Sequence, residues 1–188
     1  GCEFATIFSN FKHTEVHLLD RANRVLPMED DDVSDFVSQN LENNGVIIHH
    51  TASLRTINKK EDYLEVILDY EDGHSRVIEI DVALLAIGRE PNTDNLGLEN
   101  IALETNSRGN LPIENDCLLH NDQGVCHIYA AGDITGHAQL FSVAEFQGRL
   151  AAEKISLAPS YPLDYSHMST LMFLKPELAA VGANEKKL

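Results

Sequence analysis

His127-Ile-Tyr-Ala-Ala-Gly-Asp133, followed by an apolar-striped run over 138–155, is the stretch on which the fold of this chain turns. Residues 128–131 form a short apolar run that Gly132 ends abruptly, leaving Asp133 alone. This is the pattern of a buried strand that delivers one carboxylate to a sheet edge. A carboxylate so placed suits a ribose or ribityl hydroxyl. The polar link Ile134-Thr-Gly-His-Ala-Gln139 leads into a helix whose first N–H groups have no partner within it and point back toward the same place. From Leu140 onward, Val143, Ala144, Gln147, Leu150, Ala151 and Ile155 recur at helical spacing, so the run reads as an amphipathic helix. On these residues alone, an ordinary strand-to-helix turn with Asp133 as a cap is the simpler reading.

Upstream, the spacing of Phe4, Ile7, Phe8 and Phe11 predicts a helix that buries one face, and residues 15–19 read as a short strand ending at Asp20. Asp20 lies nineteen residues after Gly1, close to the spacing between a glycine-rich phosphate turn and the acid that binds an adenosine ribose. An acid at a strand end is also commonly just solvated. The acidic run 29–32 precedes Val33, Phe36, Val37 and Leu41 at helical spacing, where negative charge favours a helix start without a metal. Asn43-Asn44-Gly45 stops that helix, and residues 46–50 read as the next strand, with His49 and His50 as surface polar groups at its end.

Residues 54–57, 63–70 and 75–80 read as three strands, the last two joined by a hairpin around Asp72-Gly73. Together they predict an antiparallel meander inserted in an α/β chain. The continuous apolar run 82–87 reads as a strand covered on both faces, ending at Gly88-Arg89. Residues 92–110 are polar and irregular, 111–113 read as a short edge strand, and a turn is expected over 121–124. Beyond Pro159 and Pro162, strands are expected over 168–173 and 177–181, and the composition shifts near residue 157.

The 188 residues carry 14 Lys plus Arg against 30 Asp plus Glu, a formal charge of −16, which argues against a nucleic-acid or anionic-membrane surface. No apolar run is long enough to cross a bilayer and no signal peptide opens the chain, so the compartment is most simply the cytoplasm. Cys2, Cys117 and Cys126 lack Cys-x-x-Cys or metal-ligand spacing and read as reduced and structural. The chain opens inside a helical pattern and closes where another would start, so it reads as a piece of a longer protein.

Several segments together resemble the flavoprotein pyridine nucleotide-disulfide oxidoreductases. Gly1-Cys-Glu-Phe-Ala5 looks like the end of the family's second glycine fingerprint, and Ala86-Ile-Gly-Arg-Glu-Pro-Asn92 looks like its linking motif. Ile128-Tyr-Ala-Ala-Gly-Asp133 looks like its second flavin motif, and Lys175-Pro-Glu-Leu-Ala-Ala-Val-Gly182 looks like the opening of its dimerisation domain. The wording of 92–99 and 107–111 is most similar to the soluble pyridine nucleotide transhydrogenase and dihydrolipoamide dehydrogenase branch.

The resemblance implies an α/β fold in three parts. These are a Rossmann-like NAD-binding domain over 1–88 lacking its first strand and first glycines, a returning part of the FAD-binding domain over 89–157, and the start of an α+β dimerisation domain over 158–188. The parent it implies is a homodimeric oxidoreductase passing hydride between NAD(H) and FAD; the alternative is a non-catalytic truncated fragment. By the same resemblance Gly1 approaches the nicotinamide cofactor's pyrophosphate, Glu3 lies near nicotinamide and flavin, and Asp20 binds the adenosine ribose. NADP-using members carry arginines where this chain has Asp20 and Leu26, which favours NAD, although Arg21 or Arg24 could turn toward a phosphate. Gly88 allows close backbone approach, Gly132 and Asp133 meet the ribityl chain, and the helix start at Gln139 and Leu140 aims its positive end at the flavin. The redox cysteine pair and the His-Glu pair of the family would lie outside this sequence, and no catalytic residue is assigned within it.

Overall fold

The computed structural model describes residues 1–11, 13–114, 116–121 and 124–187, and its contacts divide into two units, 1–87 with 171–188 and 88–170. In the first unit α1 (Cys2–Ser9) leads to β1 (Val16–Leu19). Then α2 (Asp31–Asn43) returns the chain so that β2 (Val46–His49) pairs with β1 in parallel, Val16 opposite Val46 and Leu19 opposite His49. A parallel pair requires such a crossover. Asp31 and Asp32 stand in the first turn of α2, and Gly45 at φ +86 releases the chain after Asn44. Val37 and Leu41 of α2 are buried with Ala5, Val25, Val46 and Leu174. Burying a leucine such as Leu41 contributes about 1.5–3 kcal/mol.

The meander is present as β3 (Ala52–Lys59), β4 (Leu64–Tyr70) and β5 (Ser75–Ile80), antiparallel in that order, with Leu64 opposite both Lys59 and Ile80. The β4–β5 turn carries Gly73 at φ +88, the conformation expected of an Asp-Gly hairpin. Late in the chain β8 (Ser169–Met172) and β9 (Leu178–Val181) pair with each other.

Three expectations are corrected in this unit. Residues 82–87 form no strand: Val82 is 81% exposed and Ile87 92%. An apolar run becomes a buried parallel strand only when neighbours take up its backbone groups and both its faces, and among the described residues none does. The stripe on α1 is likewise outward, since Ala5 is the buried residue of that helix while Phe4, Ile7 and Phe8 are exposed. The rings of Phe4, Phe8 and Phe11 pack on one another at about 6 Å instead, as neighbours three and four apart on a helix can. Finally, His49 is no surface group: it is 3% exposed and bonded on both ring nitrogens, to His17 Nδ1 at 2.9 Å and to the Tyr70 hydroxyl at 2.6 Å.

The second unit holds β6 (Leu118–Asn121) and β7 (Gly124–Tyr129), an antiparallel pair with Leu118 opposite Tyr129, and the long helix α3 (Phe141–Ile155). The turn expected over 121–124 includes Asp122 and Gln123, which lie outside the described residues. The chain at 111–113 is not a strand, although the Leu111 N–H donates to the Ile134 carbonyl at 2.9 Å. Leu103, Leu111, Leu119 and Ala130 form one core cluster, and Cys117, Leu150 and Ala151 form another. α3 buries Val143, Gln147, Leu150 and Ala151 along the stripe read from the sequence, so one amide is set among apolar neighbours.

Candidate cofactor site

β7 runs into Gly132, which stands at φ +87 and ψ −158, a conformation only glycine enters without strain. A single 3-10 turn, Asp133–Thr135, follows, closed by Gly136 at φ +72. A side chain at Gly136 would collide with Asn110, whose Cγ and Nδ2 would lie 2.5 Å from the added carbon. The turn is therefore built of glycines on both sides of Asp133. Asp133 is exposed, its backbone carbonyl accepts from the Gly136 N–H at 3.2 Å, and its carboxylate accepts no hydrogen bond among the described residues. It caps neither the 3-10 turn nor α3, so the plain capping role open to it on sequence grounds is not taken up.

The N-cap of α3 is Leu140, with no side-chain cap and no acidic residue in the first turn. The first N–H groups of a helix have no partner within it, and among the described residues no capping side chain or first-turn acid offsets the positive end of this one. Gln139 sits one residue before this end and donates through Nε2 to the Arg89 carbonyl at 3.3 Å, which ties the approach to α3 to the residue after Gly88. Gly88 stands at φ +120 with open space where a side chain would begin. Thus Gly88, Gly132, Asp133, Gln139 and Leu140 all fall in one unit. A carboxylate that is exposed and without a partner among the described residues, set between two glycines beside an uncapped helix start, fits a ligand that carries a polyol chain and a ring able to take on negative charge, such as a flavin.

The remaining predicted residues lie in the other unit. Gly1 is the N-cap of α1, and a carbon added there would sit 3.7 Å from Leu18 and 3.8 Å from Ala86. The Glu3 carboxylate is already engaged, accepting from the Phe173 N–H at 2.9 Å. Asp20 follows β1; its N–H donates to the His49 carbonyl at 3.0 Å and its Oδ1 accepts from the Ala22 N–H at 2.9 Å. Arg21 is exposed, whereas Arg24 pairs with Asp35 at 2.5 Å and donates to the Asp31 carbonyl, which draws it toward α2. Burial pushes the Cys2 and Cys117 thiols up, and both are free. Among the described residues no group of three or more His, Cys, Asp and Glu is placed to hold a metal.

A residue that sequence reading placed only as part of the α3 stripe is Gln147. It is fully buried, and its Oε1 accepts from the Gly132 N–H at 2.7 Å. Its Nε2 donates to Thr135 Oγ1 at 3.1 Å and to the Tyr165 hydroxyl at 2.8 Å. The available signal was a glutamine on the apolar face of an amphipathic helix, which has to find partners inside.

These elements make a mixed α/β chain of the flavoprotein disulfide oxidoreductase fold. LpdA from Mycobacterium tuberculosis superposes with a TM-score of 0.87 at 29% identity, over 98% of this chain and 38% of that one. The HOCl-induced flavoprotein disulfide reductase RclA from Escherichia coli does so with a TM-score of 0.84 at 28% identity, over 99% of this chain and 41% of that one. In sequence, residues 1–148 match the family described as pyridine nucleotide-disulphide oxidoreductase, and the chain belongs to it. The soluble pyridine nucleotide transhydrogenases of Serratia proteamaculans and Stutzerimonas stutzeri are 36% and 38% identical to it over all 188 residues. The chain spans 38% of the length of each of these relatives. No helix among the described residues is long and apolar enough to cross a membrane.

Proposed function

We propose that this chain is the central portion of an FAD-dependent oxidoreductase, similar to dihydrolipoamide dehydrogenase, that passes hydride between NAD(H) and flavin. The observation that carries this reading is the Asp133 carboxylate, exposed and without a partner among the described residues, in a turn walled by glycines and followed by the uncapped start of α3. Bound flavin supplies the electron-accepting ring, and the chain supplies position and electrostatics. Asp133 accepts hydrogen bonds from ribityl hydroxyls, with Gly132 giving close backbone access. The positive end of α3 at Leu140 favours negative charge nearby.

On the nicotinamide side, Gly1 and Asp20 receive the pyrophosphate and adenosine ribose. Asp20 has one carboxylate oxygen on the Ala22 N–H, which leaves the other for a ribose diol and makes a 2′-phosphate repulsive, so the cofactor is NAD. Arg24 is held by Asp35, whereas the exposed Arg21 has no ion pair among the described residues and can meet a phosphate. The same reading takes the full-length protein as a cytoplasmic homodimer. Incubating the purified chain with FAD, desalting it and recording the visible spectrum tests the flavin assignment. A retained, perturbed flavin band supports it, and a colourless protein supports a non-catalytic fragment.

A further inference from the structure

We infer that Gln147 is a positioning residue that aims the Asp133 carboxylate by clamping the glycine before it; the link to flavin rests on the reading above. The orientation of the Gln147 amide is fixed by its partners. The Gly132 N–H can only donate, so the atom 2.7 Å from it is Oε1. That leaves Nε2 with two N–H groups and two oxygens to meet them, Thr135 Oγ1 at 3.1 Å and the Tyr165 hydroxyl at 2.8 Å. Thr135 Oγ1 in turn donates to the Gly132 carbonyl at 2.9 Å, which turns its lone pairs toward Nε2. Every polar hydrogen and the carbonyl of this fully buried amide are satisfied.

The consequence falls on Gly132. Glycine is the residue least able to hold its own dihedrals, and this one occupies φ +87 and ψ −158 in the link directly before Asp133. Gln147 fixes its N–H, while the Thr135 hydroxyl and the Thr135 N–H, at 2.9 and 3.0 Å, fix its carbonyl. With both ends held, the Gly132–Asp133 peptide cannot rotate, and the point and direction at which the Asp133 side chain leaves the backbone are set before any ligand arrives. Tyr165 backs the clamp, its ring stacked on His137 at 4.3 Å.

The test uses the 188-residue chain. Amide hydrogen exchange at Gly132, Leu150 and Ala151 is followed by NMR, and FAD affinity by fluorescence titration, in wild type, Q147L, Q147E and D133A. Q147L removes all three bonds, whereas Q147E keeps an acceptor for Gly132. We expect Q147L to speed exchange at Gly132 about 10-fold and weaken FAD about 10-fold, the worth of one buried hydrogen bond, with Leu150 and Ala151 still protected. Q147E should restore both. The inference is overturned if Q147L leaves Gly132 exchange unchanged, if it accelerates Leu150 and Ala151 equally, or if Q147E behaves as Q147L. A wild-type chain that does not bind FAD defeats the flavin reading alone, because Gly132 exchange still decides the clamp. FAD binding lost in D133A but intact in Q147L defeats the positioning role alone.

Discussion

His49 should make this fold acid-labile well above the range in which its carboxylates titrate. The residue is 3% exposed, with Nε2 at 2.9 Å from His17 Nδ1 and Nδ1 at 2.6 Å from the Tyr70 hydroxyl, while His17 Nε2 lies 3.0 Å from Glu15. One donor direction satisfies the whole line. Tyr70 donates to His49, His49 to His17, and His17 to the carboxylate. A proton added to His49 has no acceptor along this line unless Tyr70 reverses, and it is buried. Burial first, then the positive charge of His17, Arg76 and His50, lowers its pKa from 6.5 to about 4.

Because the folded value lies below the unfolded one, the unfolded chain takes up this proton first. The stabilisation from a neutral His49 is complete above pH 6.5 and is lost as pH falls from 6.5 toward 4. Between pH 7.5 and 5.0 the loss comes to about 2 kcal/mol, approaching about 3 kcal/mol below pH 4. Urea unfolding of wild type and H49Q at a series of pH values measures it. H49Q should be less sensitive to pH in this interval by about 2 kcal/mol, whatever its stability at pH 7.5. Equal pH dependence in the two proteins would mean that His49 is not held neutral by the fold. The His49 carbonyl also receives the Asp20 N–H, so acid should loosen the proposed ribose turn in the same interval.

Three further outcomes are expected. G136A should lose about 2–4 kcal/mol in urea unfolding, because the new methyl meets Asn110 at 2.5 Å and the residue must hold φ +72; a loss under about 0.5 kcal/mol would mean the turn is looser than drawn. D20R should raise the ratio of NADP to NAD affinity, measured calorimetrically, more than about 10-fold, and an unchanged ratio would remove Asp20 from the ribose. Cys2 and Cys117 should react with a thiol reagent at pH 7 more slowly than a free cysteine, because burial raises both pKa values; rapid labelling of the native chain would contradict this.

Much of the fold was legible where a local pattern and its partner lie in the same chain. The Asp-Gly signal located the β4–β5 hairpin, although the pairing is centred on Asp72, with Asp69 opposite Ser75, one residue from a turn centred on Asp72-Gly73, and Val33, Val37 and Leu41 gave α2 because their spacing and the stop at Gly45 agree. Residues 82–87 show the limit: the residues carry strand character, but a ladder needs neighbours that no local pattern supplies. The α1 stripe failed for a related reason, since periodicity says which residues share a face and not what covers it. His49 was misplaced because alternation along a strand assigns a side and cannot anticipate that His17 and Tyr70 converge there. β6 went unread because Leu118-Leu-His-Asn121 is too short to show a period.

The site followed the same division. Gly132, Asp133 and the start of α3 were readable from order alone. The partner of the Gly132 N–H, supplied by Gln147 fifteen residues on, emerged only when α3 packed under the turn.

The role of Asp133 in holding flavin is tested by the FAD affinity of the 188-residue chain with and without that carboxylate, by equilibrium titration of wild type and D133A. Wild type should bind saturably and D133A should lose at least roughly 10-fold, the worth of hydrogen bonds to a charged acceptor. Equal binding by the two proteins, or none by wild type, would contradict that role.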